Sequence, residues 1–223
     1  MAIDNFDSAL FFDCEATSLD TPTAEIIEFG IVSKTGLCFS ERAKPSAYLS
    51  CYITKLTGIT NSDLASAQSE RELIFKAHNI LKKAVALGGY FTHLDIEYLR
   101  GAYSRNELTT EFSEIEKKPI ICAKTLARIA KLDLPEEFSL TDLCQKLGVT
   151  VGIAHNAAED AKMALLATEK LALILGATSL NELIELQGPY VCSPWESPQM
   201  TFEQKEQCRQ RWQEFVRKSR DST

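Results

Sequence analysis

Apolar and polar positions follow two periods along this chain. Leu10, Phe11 and Phe12 form a short apolar run that ends on an acidic turn, which predicts a strand over residues 8–14. Residues 25–34 (EIIEFGIVSK) read as a second strand, and Lys34-Thr35-Gly36 as a hairpin turn into a third at 37–43. Residues 45–60 show no period and are expected to be irregular. Leu73, Ala77, Ile80, Leu81 and Ala84 then recur at helical spacing, so residues 69–87 read as an amphipathic helix. Ser69 with Glu72 fits a capping box at its start, and Gly88-Gly89 is expected to stop it. Further on, 90–94 reads as a strand, 95–103 as a helix, and 120–123 as a short strand leading into a helix through Ala130. Helices are expected at 139–147, ending at Gly148, at 157–175, ending at Gly176, and at 180–186. A proline-containing stretch at 188–198 leads to a last helix near 202–218.

Early strands with a hairpin, followed by alternating helices and strands, favour an α/β fold with a mixed sheet flanked by helices. The pattern predicts one domain over residues 1–187, with 188–223 as linker and C-terminal helix. The length of 223 residues suits one domain with an appendage, and the hydrophobic share of 45% is enough for a core. No apolar run reaches the roughly 20 residues of a membrane helix, and residues 1–10 carry two acids and no base, unlike a secretory signal. The seven cysteines are scattered and form no C-x-x-C pair, so reduced core thiols and a cytoplasmic location are expected. The formal charge of −7 argues against a broad basic face for duplex binding. It leaves room for an enzyme that grips a few nucleotides through bound cations.

Three groups of residues carry candidate chemistry. In Asp13-Cys14-Glu15 the two carboxylates stand at i and i+2, on one side of extended backbone. Asp95 follows an apolar segment at the start of a predicted helix. His155, one of three histidines, stands in the approach to the helix that carries Asp160. Taken singly, each has a plain structural reading: a solvated turn, a helix-dipole acid, a surface histidine.

Taken together, these groups resemble the DEDDh exonucleases, the DnaQ-like family that includes polymerase proofreading subunits, ribonuclease T and oligoribonuclease. Leu56-Thr57-Gly58-Ile59-Thr60 looks like the family's loop after the third strand. Ile121-Cys122-Ala123-Lys124-Thr125-Leu126 and the segment from Ser139 to Val149 resemble two further family segments, so the likeness covers roughly residues 8–175. The chain departs from the family twice. Its first motif is Asp13-Cys14-Glu15-Ala16-Thr17-Ser18 where D-x-E-T-T-G is usual. Its second is Tyr90-Phe91-Thr92-His93-Leu94-Asp95, without the usual Asn. Both departures bear on how the substrate strand is held.

The resemblance implies an RNase H-like five-stranded mixed sheet and a 3′→5′ exonuclease that releases nucleoside 5′-monophosphates from single-stranded nucleic acid, with DNA slightly favoured over RNA. Asp13, Glu15, Asp95 and Asp160 would bind two Mg²⁺ or Mn²⁺ ions, hard cations suited to oxygen ligands, and such a pair clamps an in-line displacement at phosphorus. His155 would be the general base, a role suited to a group titrating near neutrality. Ala16, Thr17, Leu56, Thr57, Ile59 and Phe91 would contact the terminal nucleotide. The expected partners are a DNA or RNA 3′ end and a polymerase or other replication or repair protein. Two rivals stand beside this reading. One is a non-catalytic interaction module on the same fold. The other is a hydrolase using Cys14 or Cys122 as nucleophile.

Overall fold

The computed structural model describes residues 6–135, 137–152 and 155–187. The linker and terminal helix expected over 188–223 lie outside the described residues, as do Cys192 and Cys208.

Six strands form one sheet: β1 (Ala9–Ala16), β2 (Ile26–Val32), β3 (Cys38–Lys44), β4 (Gln68–Ser69), β5 (Ala86–Gly89) and β6 (Ile120–Cys122). Their order is β4-β3-β2-β1-β5-β6. β1, β2 and β3 pair antiparallel, while β5 runs parallel to both β1 and β6. The sheet is thus mixed, as expected. It exceeds the expected five strands by β4, a two-residue edge strand that pairs with Ala43 and Lys44 and is too short to show a period in sequence.

Helices cover both faces. One core packs α2 (Glu70–Leu81), α3 (Thr92–Arg105) and α4 (Thr109–Glu116) against Leu10, Phe12 and Cys14 of β1. The other packs α5 (Ala123–Ile129), α6 (Leu140–Leu147), α7 (Ala157–Leu175) and α8 (Leu180–Gln187) against Ala9 and Phe11. The alternation along β1 therefore assigns each of its residues a helical layer. Local chemistry sets most helix ends where the sequence placed them. Ser69 with Glu72 and Ser139 with Asp142 form capping boxes, and Gly148 and Gly176 end α6 and α7 in the left-handed conformation. No helix among the described residues is long and apolar enough to cross a membrane.

Three expectations are corrected. The helix predicted over 69–87 ends at Leu81, and Gly88-Gly89 belong to β5 rather than to a helix stop. A side chain at Gly88 would lie 2.5 Å from the Phe11 ring, and one at Gly89 would lie 2.9 Å from the Phe12 carbonyl oxygen. The glycines are therefore there for close strand packing. The strand predicted over 90–94 is instead the entry to α3, which begins at Thr92; the Thr92 hydroxyl donates to the Ile121 carbonyl at 2.9 Å. The segment 45–60 contains a short helix, α1 (Cys51–Thr57), capped by the Ser50 hydroxyl and ended by left-handed Gly58.

Candidate active site

Strand alternation decides where the first motif points. Asp13 and Glu15 share parity with Ala9 and Phe11, so their carboxylates lie on the α7 side of the sheet. Across the antiparallel pair, Asp13 faces Gly30 and Glu15 faces Glu28 on β2. A Cβ on Gly30 would come within 2.3 Å of the backbone of Ala157 and Ala158. Bare backbone there lets the start of α7 settle onto the strands, beside Asp13 and Glu15.

His155 and Asp160 enter from that helix start. Asn156 caps α7 by accepting from the Glu159 amide at 3.1 Å. His155, with φ +61°, sits in the left-handed region just before it, and its amide donates to Asp160 Oδ2 at 2.9 Å. One ligand atom each from Glu15, His155 and Asp160 lie within 4.8 Å of one another. His155 Nδ1 stands 3.9 Å from Glu15 Oε1.

Asp95 arrives from the other helical layer, in the first turn of α3. Its Oδ1 accepts from the Cys14 amide at 3.2 Å and from the Cys14 thiol at 3.3 Å. This pins the carboxyl group to Cys14, the residue between the two candidate acids in the sequence of the first motif.

The cluster gathers buried carboxyl groups, and burial raises the pKa of each. Burial, then repulsion from Asp95, Glu15, Asp160 and Glu28, raises Asp13 well above the usual carboxylate range. Glu15 is pushed up to about 8 by burial and by Asp160, Glu28 and Asp95. Burial lifts Asp95 to about 7 against the opposing pull of its Cys14 hydrogen bonds. Asp160 rises to about 6, again chiefly by burial. Among the described residues, the ion pairs that reach this cluster are His155 with Glu15 and Arg42 with Glu28. Oxygen donors that converge and lack compensating charge fit a divalent cation site.

The sequence profile of a family described as exonuclease matches residues 10–168, a span that holds all four acids and His155. The chain belongs to the DnaQ-like 3′→5′ exonuclease family. Members of this family use divalent metals, in keeping with the donor set. This exonuclease is 26% identical over 155 residues to the DNA polymerase III epsilon subunit of Aquifex aeolicus, spanning 68% of the chain and 73% of that protein. It is 30% identical to the PolC-type DNA polymerase III of Pediococcus pentosaceus over 69% of its own length, but matches only 10% of that relative. Among solved structures it is similar to E. coli exonuclease I in complex with a dA16 oligonucleotide. That match has a TM-score of 0.67 at 17% identity and covers 79% of this chain and 42% of the other. At that identity the likeness establishes the RNase H-like fold.

The six residues expected to meet substrate are placed differently from one another. Leu56 is 37% exposed on α1, with Tyr52 one turn before it also at the surface. Thr57 is buried, its hydroxyl donating to the Ile53 carbonyl and accepting from the Ile59 amide. Ile59 is buried with Ile27, Leu49, Ile53 and Leu64. Those two side chains hold the loop together, and packing on Ile27 anchors it next to the β1–β2 irregularity beside Glu15. Ala16 is buried at the end of β1, and the Thr17 hydroxyl accepts from the Glu25 amide at 2.9 Å. Phe91 packs edge-on against His93 with centroids 3.7 Å apart, and Lys124 stands 5.0 Å from the Phe91 ring. Burial, then Lys124 and Arg128, lowers His93 to about 4, which keeps it neutral near pH 7.

The thiol-nucleophile alternative finds no setting here. Cys14 donates to Asp95, and burial with the surrounding acids pushes its thiol further up. Cys122 donates to the Tyr90 carbonyl at 3.0 Å. Cys14, Cys122 and Cys144 are buried free thiols, as expected of core cysteines, whereas Cys38 and Cys51 are exposed. The residue that the sequence reading missed is Glu28. It sits in an apolar strand, EIIEFG, where alternation alone gives no sign that its carboxyl group joins the site.

Proposed function

We propose that this exonuclease removes nucleotides from the 3′ end of single-stranded nucleic acid, DNA in preference to RNA, and releases nucleoside 5′-monophosphates. One observation carries the reading: Glu15, His155 and Asp160 meet within 4.8 Å, in a carboxylate cluster short of positive charge. The DNA polymerase III relatives and the oligonucleotide bound in E. coli exonuclease I support DNA as the substrate. The same relatives support a polymerase or another replication or repair protein as partner.

Asp13, Glu15, Asp95 and Asp160 would hold two Mg²⁺ or Mn²⁺ ions. Bound there, such ions neutralise the cluster, activate water and stabilise charge on the departing oxygen. The protein's own groups do the rest. His155, 48% exposed at its side chain and with Nδ1 3.9 Å from Glu15 Oε1, takes the proton of the attacking water. The His155 amide, tied to Asp160, fixes the imidazole to the helix that also carries an acid ligand. Leu56 offers an apolar surface to the terminal base, and the buried Thr57 and Ile59 keep that surface in place.

The test is time-resolved digestion of 3′- and 5′-labelled single-stranded DNA and RNA oligonucleotides with Mn²⁺, beside Asp13→Ala. Stepwise shortening from the 3′ end is expected, faster on DNA, and absent with EDTA or in the variant. No digestion of any substrate by folded protein with metal present would leave a binding module on a nuclease fold.

A further inference from the structure

Three neighbouring strands place Glu15, Glu28 and Arg42 in one row: Glu15 lies opposite Glu28, and Glu28 opposite Arg42. Glu28 is 2% exposed and uses both carboxyl oxygens. Oε1 accepts from Arg42 Nε at 2.7 Å, and Oε2 accepts from the Ala157 amide at 2.9 Å. A buried carboxylate next to other carboxylates is unfavourable unless its hydrogen bonds are made, so its position calls for a physical reason.

The reason lies in what the Ala157 amide is. It is the first amide of α7, one of the donors that a helix leaves without an internal partner. Three hydrogen bonds from backbone amides to side chains organise this turn: Glu159 amide to the Asn156 side chain, His155 amide to Asp160, and Ala157 amide to Glu28. The first two are internal to the turn; the third ties it to the sheet. Contact with Gly30 sets how closely the start of the helix approaches the sheet. His155 keeps a left-handed backbone, which needs a held environment.

We propose that Glu28 is a positioning residue for hydrolysis: by accepting the Ala157 amide it fixes where His155 and Asp160 stand relative to Glu15. The proposal rests on the exonuclease reading above. Ala157 is two residues from His155 and three from Asp160, within one turn, so a shift of the clamp passes to both with little loss. Arg42 holds the other oxygen and thereby orients the carboxylate.

A pair of substitutions separates reach from charge. Glu28→Gln keeps the length of the side chain and an acceptor oxygen for Ala157, while Arg42, at the surface, can turn to solvent. Glu28→Asp keeps the charge but withdraws the oxygen by about 1.5 Å, one carbon–carbon bond. With Mn²⁺ and a labelled oligonucleotide, Glu28→Asp should lower kcat about 100-fold, the scale of a 1 Å misplacement of catalytic groups, with KM within about threefold of the wild type. Glu28→Gln should restore kcat to within about fivefold. In metal-free protein, amide hydrogen exchange over 157–160 should quicken in Glu28→Asp and not in Glu28→Gln, with thermal melting as the folding control. Wild-type kcat in Glu28→Asp, or a loss in Glu28→Gln as large as in Glu28→Asp, would overturn the proposal. An inactive wild type would instead refute the exonuclease reading, and the exchange data would still report on the clamp.

Discussion

Removing the charge of Glu15 should make the metal-free protein more stable while it destroys activity. Glu15 has an ordinary value of 4.5 and is raised to about 8 in the fold, by burial and by Asp160, Glu28 and Asp95. The folded state therefore keeps a proton that the unfolded chain has lost. Its contribution to stability is complete below pH 4.5 and disappears as pH rises toward 8. Integrated over that window, the loss at pH 8 has a ceiling of about 4 kcal/mol. The neighbouring acids share the same repulsion, and a buried Gln amide still has to be desolvated. The expected gain for Glu15→Gln is therefore about 1–2 kcal/mol, or roughly 2–8 °C in melting temperature for a chain of this size. The assay is thermal unfolding in EDTA at pH 8 and at pH 4.5, where the gain should shrink below about 0.5 kcal/mol. Oligonucleotide digestion with Mn²⁺ at pH 8 should be lost in the same variant. A variant no more stable than the wild type at pH 8, or a gain that does not shrink in acid, would refute the idea that folding brings these carboxylates together against their own repulsion.

Four further outcomes follow from the structure. Mn²⁺ at 100 times its Kd should stabilise the wild type by about 2.7 kcal/mol. Its affinity should rise between pH 6 and 8, as Asp160, Asp95 and Glu15 lose protons that compete with the metal; calorimetric titration at the two pH values reads this. His155→Ala should slow single-turnover digestion by about 10²–10⁴-fold, and an unchanged rate would remove His155 from proton transfer. Gly88→Ala should lower stability by about 1–3 kcal/mol, because its methyl group meets the Phe11 ring; the urea midpoint measures it, and no change would mean that the ring moves aside freely.

The exonuclease family, the mixed sheet and the grouping of Glu15, His155 and Asp160 that the fold brings together were legible in sequence, because each is written in local terms. The apolar run Leu10-Phe11-Phe12 marked β1, and the i, i+2 spacing of Asp13 and Glu15 put both on one side of extended backbone. Ser139, Gly148 and Gly176 marked helix ends, since a cap's hydrogen bond is made within four residues. What failed was set by distant neighbours. Gly88-Gly89 look like a helix stop until Phe11 and Phe12 are seen packed against them. Thr57 and Ile59 sit in a stretch expected to be irregular, and only the fold shows Ile53 and Ile27 burying their side chains. Glu28 is the clearest case. In sequence it is one acid in an apolar run, and only strand register brings it opposite Glu15, 13 positions away, while only the seating of α7 on Gly30 carries the Ala157 amide to it across 129 positions. Hydrophobic period and capping chemistry are properties of a short window of chain. The meeting of carboxylates that like charge would keep apart is a property of the folded sheet, whose core holds them together.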